Sequence, residues 1–511
     1  MIDPRTPVLI GGGQMTLRKG ETLGPRGMML RAAQAAAADA GLAPSALAEI
    51  DALAVVGFTI DAPGSAGRLP VPRIADPPAT FAADLGANPR VAVYTHMGGN
   101  TPQALVNWAS EQIAAGEMDF VCLVGAEFLG SLMKALNAGE DLSRFGGGPE
   151  SAPVRWGDDR ADCSPQEQAH GLSFPANTYP LFENALRARR GRSIEAHNAA
   201  MGALFAPFTQ VAARNPHAWF PVARSAEELI TVTPNNRMVG FPYAKYLNAI
   251  IQVDQAACVL MASSARADAL GVAADKRVYL HGCADASEIW NPIDRVDFHS
   301  SPAIRAAAGH AFAMAGKSPG EMSLIDLYSC FPIAVEIACQ EIGIAEDDPR
   351  GLTITGGLPY FGGPGNNYVM HSIAEMIARL RAKPGAFGLV TANGWYLTKH
   401  AMGIYSTEPT KGRWSRGDYR APQRAVDAQK GPPIVLEPNG PATIETYTVI
   451  HGRETYRMGI VMGRDSEGRR FVANTPDDPA TLADLQAREG VGRPGRVVSA
   501  EGGMKNTFTP S

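Results

Sequence analysis

Two stretches of this chain combine residue types suited to holding negative charge. Residues 356–371, GGLPYFGGPGNNYVMH, run a glycine-dense loop straight into a helical pattern. Residues 95–117, THMGGNTPQALVNWASEQIAAGE, set His96, Gly98, Gly99 and Asn100 before another. A helix N-terminus leaves unpaired N–H groups and the positive end of the helix dipole, so each stretch suits an oxyanion, a carboxylate or a phosphate. GGPGNN lacks the Lys-Ser/Thr of a P-loop, which weakens the phosphate reading. Asn366 and Asn367 also suit a plain capping role at the helix start.

The elements that must position these loops come from a chain of 511 residues with 45% apolar content, enough for large cores and two to four domains. Its 46 basic and 51 acidic residues give no basic footprint for nucleic acid. The opening MIDPRTPVLIGGG has no charged-then-apolar signal pattern, and no window approaches 18 uninterrupted apolar residues, so a cytoplasmic protein without a membrane span is expected. Cys122, Cys163, Cys258, Cys283, Cys330 and Cys339 lie far apart without a CxxC, which argues against a disulfide framework and a structural zinc. Free thiols, no metal site and no bound cofactor are expected.

Along the chain, PVLIGGGQM reads as a buried strand leaving through its glycines, followed by an Ala-rich helix over 27–41 and a strand over 51–58. A Pro- and Gly-rich loop runs to about Pro89. VAVYTH, the GGN loop, a helix over 101–116 and FVCLVGAE then form a β-loop-α-β unit. Residues 130–235, rich in Gly, Pro, Trp and Arg, read as a lid or insertion outside the sheet, with helices over 180–190 and 193–213. Its Arg187, Arg189, Arg190 and Arg192 read as solvated surface, with contact to phosphates as the alternative. AGLAPSALAEID at 40–51 and AGKSPGEMSLID at 315–326 share A-G-x-x-P-x5-I-D. The two Gly loops, and FVCLVGAE with FGLVTANGW, recur in the same order. Three features in register imply an internal duplication, which brings the two Gly-loop helices together at a pseudo-two-fold axis.

A duplicated α/β unit with central helices behind Gly loops resembles the thiolase superfamily. MDFVCLVGAEFLGS is similar to the family strand ending in a Gly-Gly-x-Glu-Ser-type motif, and VDQAACVLMASS to its Asp-Gly-Ala-Ala strand. SLIDLYSCFPIAVEI resembles the HDCF variant of sterol-carrier-protein thiolases, and GGLPYFGGP the GGxxxxGHP loop. The resemblance covers roughly residues 5–405. It implies an α/β fold, the duplicated thiolase fold of five αβαβα layers with a loop insertion. The halves are 1–255 and 256–406, with the insertion at about 130–235.

The departures bear on the chemistry. Thiolases use a nucleophilic Cys at the first loop, the GHP His that activates it, and a second Cys near the last strand. Here these positions hold Gly98 or Gly99, Gly363 and, near the end, Asn393. Neither glycine supplies the low-pKa sulfur that thiolate attack needs, so ping-pong Claisen chemistry is expected to be disabled. Tyr328 and Ser329 replace His and Asp of HDCF, while Cys330 and Phe331 are retained. The resemblance sends a polar, aromatic set to the cavity: His96, Tyr328, Cys330, Asn393 and His400 as catalytic candidates. Gly98, Gly99, Asn100, Ser329, Gly362, Gly363, Asn366, Asn367 and Trp395 line the substrate, with Tyr396 and Lys399 close by. His96 or His400 would move a proton, Tyr328 would donate to an enolate or alkoxide, and the loop N–H groups would hold the oxyanion. Each His is equally readable as structural, and Cys330 as core.

Past residue 407 a polar, Pro-containing linker runs to 432. Alternating strands over 433–511 resemble the OB-type barrel appended to the thiolase-like protein type 1 group. Without an aromatic platform or basic charge, that barrel is assigned to packing or protein contact, not nucleic acid. The resemblance implies an acetyl-CoA acetyltransferase-like protein that takes a coenzyme A thioester as substrate or ligand, with enolate or acyl-transfer chemistry in place of thiolysis. Two alternatives stand beside it: a non-catalytic acyl-CoA-binding or partner subunit, and a retro-aldolase on a 3-hydroxyacyl-CoA. A homodimer through the thiolase core is the implied assembly.

Overall fold

The computed structural model describes residues 2–18, 20–62, 69–453, 455–500 and 504–511. Residues 63–68, part of the Pro- and Gly-rich loop read before Pro89, and 501–503 of the C-terminal barrel segment lie outside them. The first half runs β1 (Pro7–Thr16), α1 (Pro25–Asp39), β2 (Ala52–Val55), α2 (Pro77–Leu85), β3 (Val91–Thr95), α3 (Thr101–Ala115) and β4 (Phe120–Glu127). The segment between the halves holds α4 (Leu129–Ala138), β5 (Val154–Trp156), α5 (Pro165–Ala169), α6 (Pro175–Arg189), α7 (Ile194–Ala212), α8 (Ala226–Ile230), β6 (Met238–Gly240) and β7 (Tyr243–Ala244). β8 (Gln255–Ser263) and α9 (Ser264–Ala269) complete the first half, since β8 pairs with β1 and β4, so the division between halves lies after α9 and not at the expected 255/256.

The second half runs β9 (Val278–Ser287), α10 (Pro302–Ala315), β10 (Leu324–Asp326), α11 (Pro332–Ile342), α12 (Tyr368–Arg381), β11 (Phe387–Gly394) and β12 (Lys399–Ser406). Sheet order is β10-β11-β12-β9-β1-β8-β4-β2-β3-β5. The run β2-β4-β8-β1 thus mirrors β10-β11-β12-β9, and the mirror line is the short antiparallel pairing Val8↔Tyr279 and Leu9↔Val278. α1 and α10 cover the outer faces, while α3 and α12 touch each other and strands of both halves. This is the αβαβα layering of the duplicated fold.

The glycines of β1 lie inside the strand, contrary to the expectation that the strand leaves through them, because helices press on it from both sides. A Cβ on Gly11 would lie 2.1 Å from the Ala36 carbonyl oxygen, and one on Gly13 2.0 Å from that of Ala32, both on α1. One on Gly12 would lie 2.9 Å from Ala374 Cα on α12. A Cβ on Gly282 of β9 would likewise lie 2.1 Å from the Ala311 carbonyl oxygen of α10, so the second half repeats the device. β4 and β8 are buried along their whole lengths, as their unbroken apolar runs require of strands covered on both faces.

The 130–235 segment is not wholly outside the sheet. β5 pairs in parallel with β3, Val93↔Val154 to Thr95↔Trp156, and so covers the edge that β3 would otherwise offer. The 407–432 segment, read as a polar linker, is packed on the second half: Trp414 Nε1 donates to the Leu280 carbonyl at 2.7 Å. α13 (Ala421–Asp427) lies on α10 and β9.

The C-terminal domain contains β13 (Asn439–His451), β14 (Tyr456–Asp465), β15 (Arg470–Asn474), α14 (Pro479–Ala487), β16 (Pro494–Ser499) and β17 (Asn506–Pro510). Its ring closes as β13-β14-β15-β17-β16-β13, with β15 and β17 parallel, an OB-like barrel. It is bound tightly to the core. β13 pairs with β6 and lies along α6. Arg187 of α6, expected on the surface, is buried and donates to Glu489 at 2.5 and 2.7 Å. Arg470, fully buried, holds Glu445 through two hydrogen bonds of 2.6 and 2.8 Å. It also donates to the Ile293 carbonyl at 2.9 Å and to that of Arg295, and its guanidinium lies 4.4 Å from the Phe298 ring centroid. Burial raises the Glu445 carboxyl, but Arg470 and Arg464 outweigh it and leave its pKa below the ordinary value.

Removing this clamp leaves Glu445 to Arg464 alone and strips the Ile293 and Arg295 carbonyls of their donor, so Arg470→Leu is expected to cost about 1–3 kcal/mol in urea unfolding. Because the Glu445 pKa is lowered on folding, the loss should be full above the usual carboxylate range and shrink as pH falls through the lowered value. A variant as stable as the parent at neutral pH would show that the clamp carries no weight.

Candidate functional site

The two Gly-loop helices meet at the centre, and Asn366 joins them. Its Oδ1 accepts from the Gly98 N–H at 2.8 Å, while its Nδ2 donates to the Gly57 carbonyl at 2.7 Å and reaches Met97 Sδ at 3.2 Å. Asn367 donates to the Gly125 carbonyl at 2.8 Å. Neither Asn367 nor Asn100 caps its helix through the side chain, so both asparagines of the second loop reach across to the first half. The Gly98 N–H is therefore engaged, and the Gly363 N–H donates to the Ile250 carbonyl at 2.8 Å. Gly362 has φ +118° and packs on Gln255, where a Cβ would meet Oε1 at 2.3 Å. Gly362 and Gly363 thus face Gln255 and Ile250.

At Gly98 and Gly99 the space a nucleophilic side chain would need is occupied. A Cβ on Gly99 would stand 2.4 Å from the Tyr328 hydroxyl oxygen and 2.5 Å from the Asn393 carbonyl oxygen. One on Gly98 would stand 2.5 Å from Asn100 Oδ1 and 3.0 Å from Lys399 Nζ. Real Cβ atoms do not tolerate such contacts, so Tyr328 and Lys399 fill the space beside the Gly98–Gly99 backbone.

Lys399 opens β12 and is 6% exposed. Its Nζ donates to the Met97 carbonyl and lies 5.7 and 5.5 Å from the ring centroids of Trp290 and Trp395. Among the described residues it has no carboxylate within ion-pair distance. Burial lowers its pKa to about 8, Asp158 opposing and Arg160 assisting.

The loop before Lys399 is strained: Trp395 and Leu397 have φ of 56° and 54°, costing about 1–3 kcal/mol each. Surrounding bonds hold it there. Tyr179 of α6 donates to the Trp395 carbonyl at 2.8 Å, and Arg295 donates to the Tyr396 carbonyl at 2.7 Å and Thr398 Oγ1 at 2.9 Å. Tyr396 donates to Asp162 at 2.7 Å.

Asn393 donates to the Tyr179 hydroxyl at 2.8 Å and reaches Cys330 Sγ at 4.0 Å. Cys330 is buried, and burial pushes its thiol up to about 12. Burial also holds the Tyr328 phenol well above its ordinary value, with Cys330 and Tyr368 adding to it. Asn100 Oδ1, Asn393 Oδ1 and Trp395 Nε1 are buried without a hydrogen-bond partner, and Asn100 Oδ1 lies against Gly98.

His400 is 2% exposed, contacts the Leu397 carbonyl at 3.0 Å through Nε2, and is pushed down by burial to about 3. It stays neutral at physiological pH. With Asn100, Trp108, Trp156 and Asp285 it lines an open groove of about 370 Å³. His96 sits partly exposed, its pKa lowered by burial and by Arg155 and Lys399. Ser329 lies apart from this group: a Cβ on Gly357 would meet its Oγ at 2.8 Å.

The structure thus brings Gly98, Asn100 and Trp395 to Lys399, and sets Tyr328 and the Asn393 backbone against Gly99, with Cys330 beside Asn393, His400 lining a cavity with Tyr328 and Asn393, and His96 nearby. Ser329, Gly362 and Gly363 point elsewhere, and Asn366 and Asn367 act as struts. Sequence reading gave Lys399 no role of its own and passed over Tyr179, Arg295 and Trp290. Tyr179 and Arg295 reach the loop only through folding, and nothing in their local sequence marks them; the Gly-Trp-Tyr-Leu-Thr-Lys run did mark a turn beside Lys399.

Residues 422–502 match the family described as the thiolase-like protein type 1 additional C-terminal domain. A crystal structure of a monomeric SCP2-thiolase-like protein type 1 from Mycobacterium smegmatis is 38% identical, covers 100% of both chains and superposes with a TM-score of 0.85. An acetyl-CoA acetyltransferase of Methanothermobacter thermautotrophicus is 29% identical over 189 residues, 34% of this chain and 47% of that relative. The chain therefore matches about half the length of that curated relative. A structure described as the Ltp2-ChsH2(DUF35) aldolase shares the fold at 19% identity, covering 79% of this chain and 98% of that one, with a TM-score of 0.57.

Gly99→Ala should force apart Tyr328 and the Asn393 backbone and lower stability by about 1–3 kcal/mol in urea unfolding. An unchanged midpoint and slope would mean that the slot is open.

Proposed function

The chain belongs to the SCP2-thiolase-like protein type 1 family, and on that premise we propose that it handles an acyl-CoA or related thioester by proton transfer, without an acyl-enzyme. One observation carries the reading: a buried amine and a phenol take the space that a thiolase gives to its nucleophile. Cys163, Cys258, Cys283, Cys330 and Cys339 are all pushed upward by burial, which leaves them as thiols at neutral pH.

With its pKa near 8, Lys399 is partly neutral at physiological pH and can accept a proton. On a 3-hydroxyacyl thioester it would take the proton of the 3-hydroxyl. The C2–C3 bond then breaks, a carbonyl compound leaves, and the electron pair forms a thioester enolate that is reprotonated at C2. Tyr328, held as a neutral phenol, would donate to the enolate oxygen, and the unpartnered Trp395 Nε1–H adds a second donor. His96, the more exposed group, would pass protons to solvent. The relative described as an aldolase supports this retro-aldol form. α-Proton removal without cleavage uses the same groups.

The close packing at Gly99 favours a second reading, a non-catalytic acyl-CoA-binding protein. β5 on the β3 edge, together with the monomeric state of the Mycobacterium smegmatis relative, supports a monomer in place of the expected core-sheet dimer. No helix among the described residues is long and apolar enough to cross a membrane, and we assign the work to the cytoplasm.

Assays with 3-hydroxyacyl-CoA and 3-ketoacyl-CoA panels should give cleavage or α-proton exchange whose rate rises with pH to a plateau above about 8. Lys399→Met should lower it by about 10²–10⁴-fold. A rate that is flat across this range, or untouched by Lys399→Met, contradicts the lysine mechanism. Absence of turnover alongside retained thioester binding would favour the binding reading.

A further inference from the structure

Three helices of the core meet at a second polar cluster that the thioester chemistry does not use. Glu183 of α6, His197 of α7 and Glu336 of α11 are each fully buried, and one ligating atom from each lies within 4.8 Å of the others. Glu183 Oε1 is 2.5 Å from His197 Nε2, and Glu183 Oε2 accepts from the Tyr243 hydroxyl at 2.5 Å. Glu336 Oε1 accepts from Arg190 at 3.0 Å, with Arg192 at 3.9 Å. Two atoms remain without a partner, Glu336 Oε2 and His197 Nδ1.

Two carboxyls brought together away from water must either hold a proton or be balanced by positive charge between them. Arg190 supplies one charge and shares it with Glu346 at 2.7 Å. Arg192 stands at the margin, and Arg187 is committed to Glu489. We propose that Glu183, His197 and Glu336 form a binding site for one divalent cation of the zinc or manganese type. Two carboxylate oxygens and an imidazole nitrogen are the donors such ions take, with the Tyr243 oxygen beside them as a further or outer contact.

The protonation states agree with this assignment. Burial raises both carboxyls, and each feels the other. Burial lowers His197 to about 4, so its imidazole is neutral with a lone pair to give. A cation would displace the proton that the two carboxyls otherwise share. It would also tie α6 and α7 to α11. Tyr243 stacks on Phe331 at 5.4 Å and Phe331 on Tyr179 at 4.4 Å, so the cluster borders the shell that supports the Lys399 loop. The cysteine pattern gave no hint of it, since the donors come from three distant helices and include no thiol.

The test uses the full chain, stripped with a chelator and then equilibrated with zinc or manganese chloride before gel filtration. Elemental analysis is expected to give about one ion per chain, with a rise in melting temperature that His197→Gln and Glu336→Gln both abolish. Should a variant fail to fold, cobalt(II) added to the unaltered protein supplies the readout, as a one-to-one visible absorption band. The proposal is overturned by sub-stoichiometric metal in the unaltered protein, by full metal content in folded His197→Gln, or by a Glu336→Gln protein that is more stable than the parent while the parent binds no ion. The last result would identify the cluster as a proton-sharing carboxyl pair.

Discussion

The close approach of the second half to the backbone of Gly98 and Gly99 is the constraint on which the centre of this molecule depends. Tyr328 and the Asn393 backbone come so near Gly99 that only glycine fits there, and Lys399 and Asn100 crowd Gly98, whose φ of +156° also favours glycine. Asn366 fixes the approach by accepting the Gly98 N–H while donating to Gly57. Glycine here lets a tyrosine and a lysine lie directly against the loop backbone. The strain at Trp395 and Leu397 belongs to the same arrangement, because that turn sets Lys399 at the start of β12.

The duplication explains how two halves reach this point. Each contributes a strand run in the same order, each presses an outer helix onto a glycine-bearing strand, and each sends a helix to the centre. What departs from the symmetry is specific to this chain. β5 covers the β3 edge, and the intervening helix α6 holds the Lys399 loop on one side and the barrel on the other. Arg187 and Arg470 make the barrel part of the core's support.

Much of this was legible in residue patterns. The A-G-x-x-P-x5-I-D repeat falls where α1 leads to β2 and α10 to β10, since a helix end, a proline turn and a strand start are encoded locally. That the first Gly loop carries no cysteine was legible too, because it is a matter of residue identity. What packs against it was only half legible: Tyr328 and Lys399 were visible as types, but their convergence on Gly98 and Gly99 is a product of packing between segments some 230 and 300 positions apart. The arginines of 187–192 read as surface because charge alone carries no record of distant glutamates. His400 read either as a proton carrier or as structural, and its depth, which lowers its pKa, is a product of the fold that its own sequence neighbourhood does not record.

The most direct test of a site without an acyl-enzyme is the intact mass of the protein, quenched in acid after incubation with acetoacetyl-CoA and free CoA. The unmodified mass, with no CoA-dependent formation of acetyl-CoA, is the predicted result. A protein carrying an acyl group on a cysteine would contradict the account and restore thiolytic chemistry to this fold.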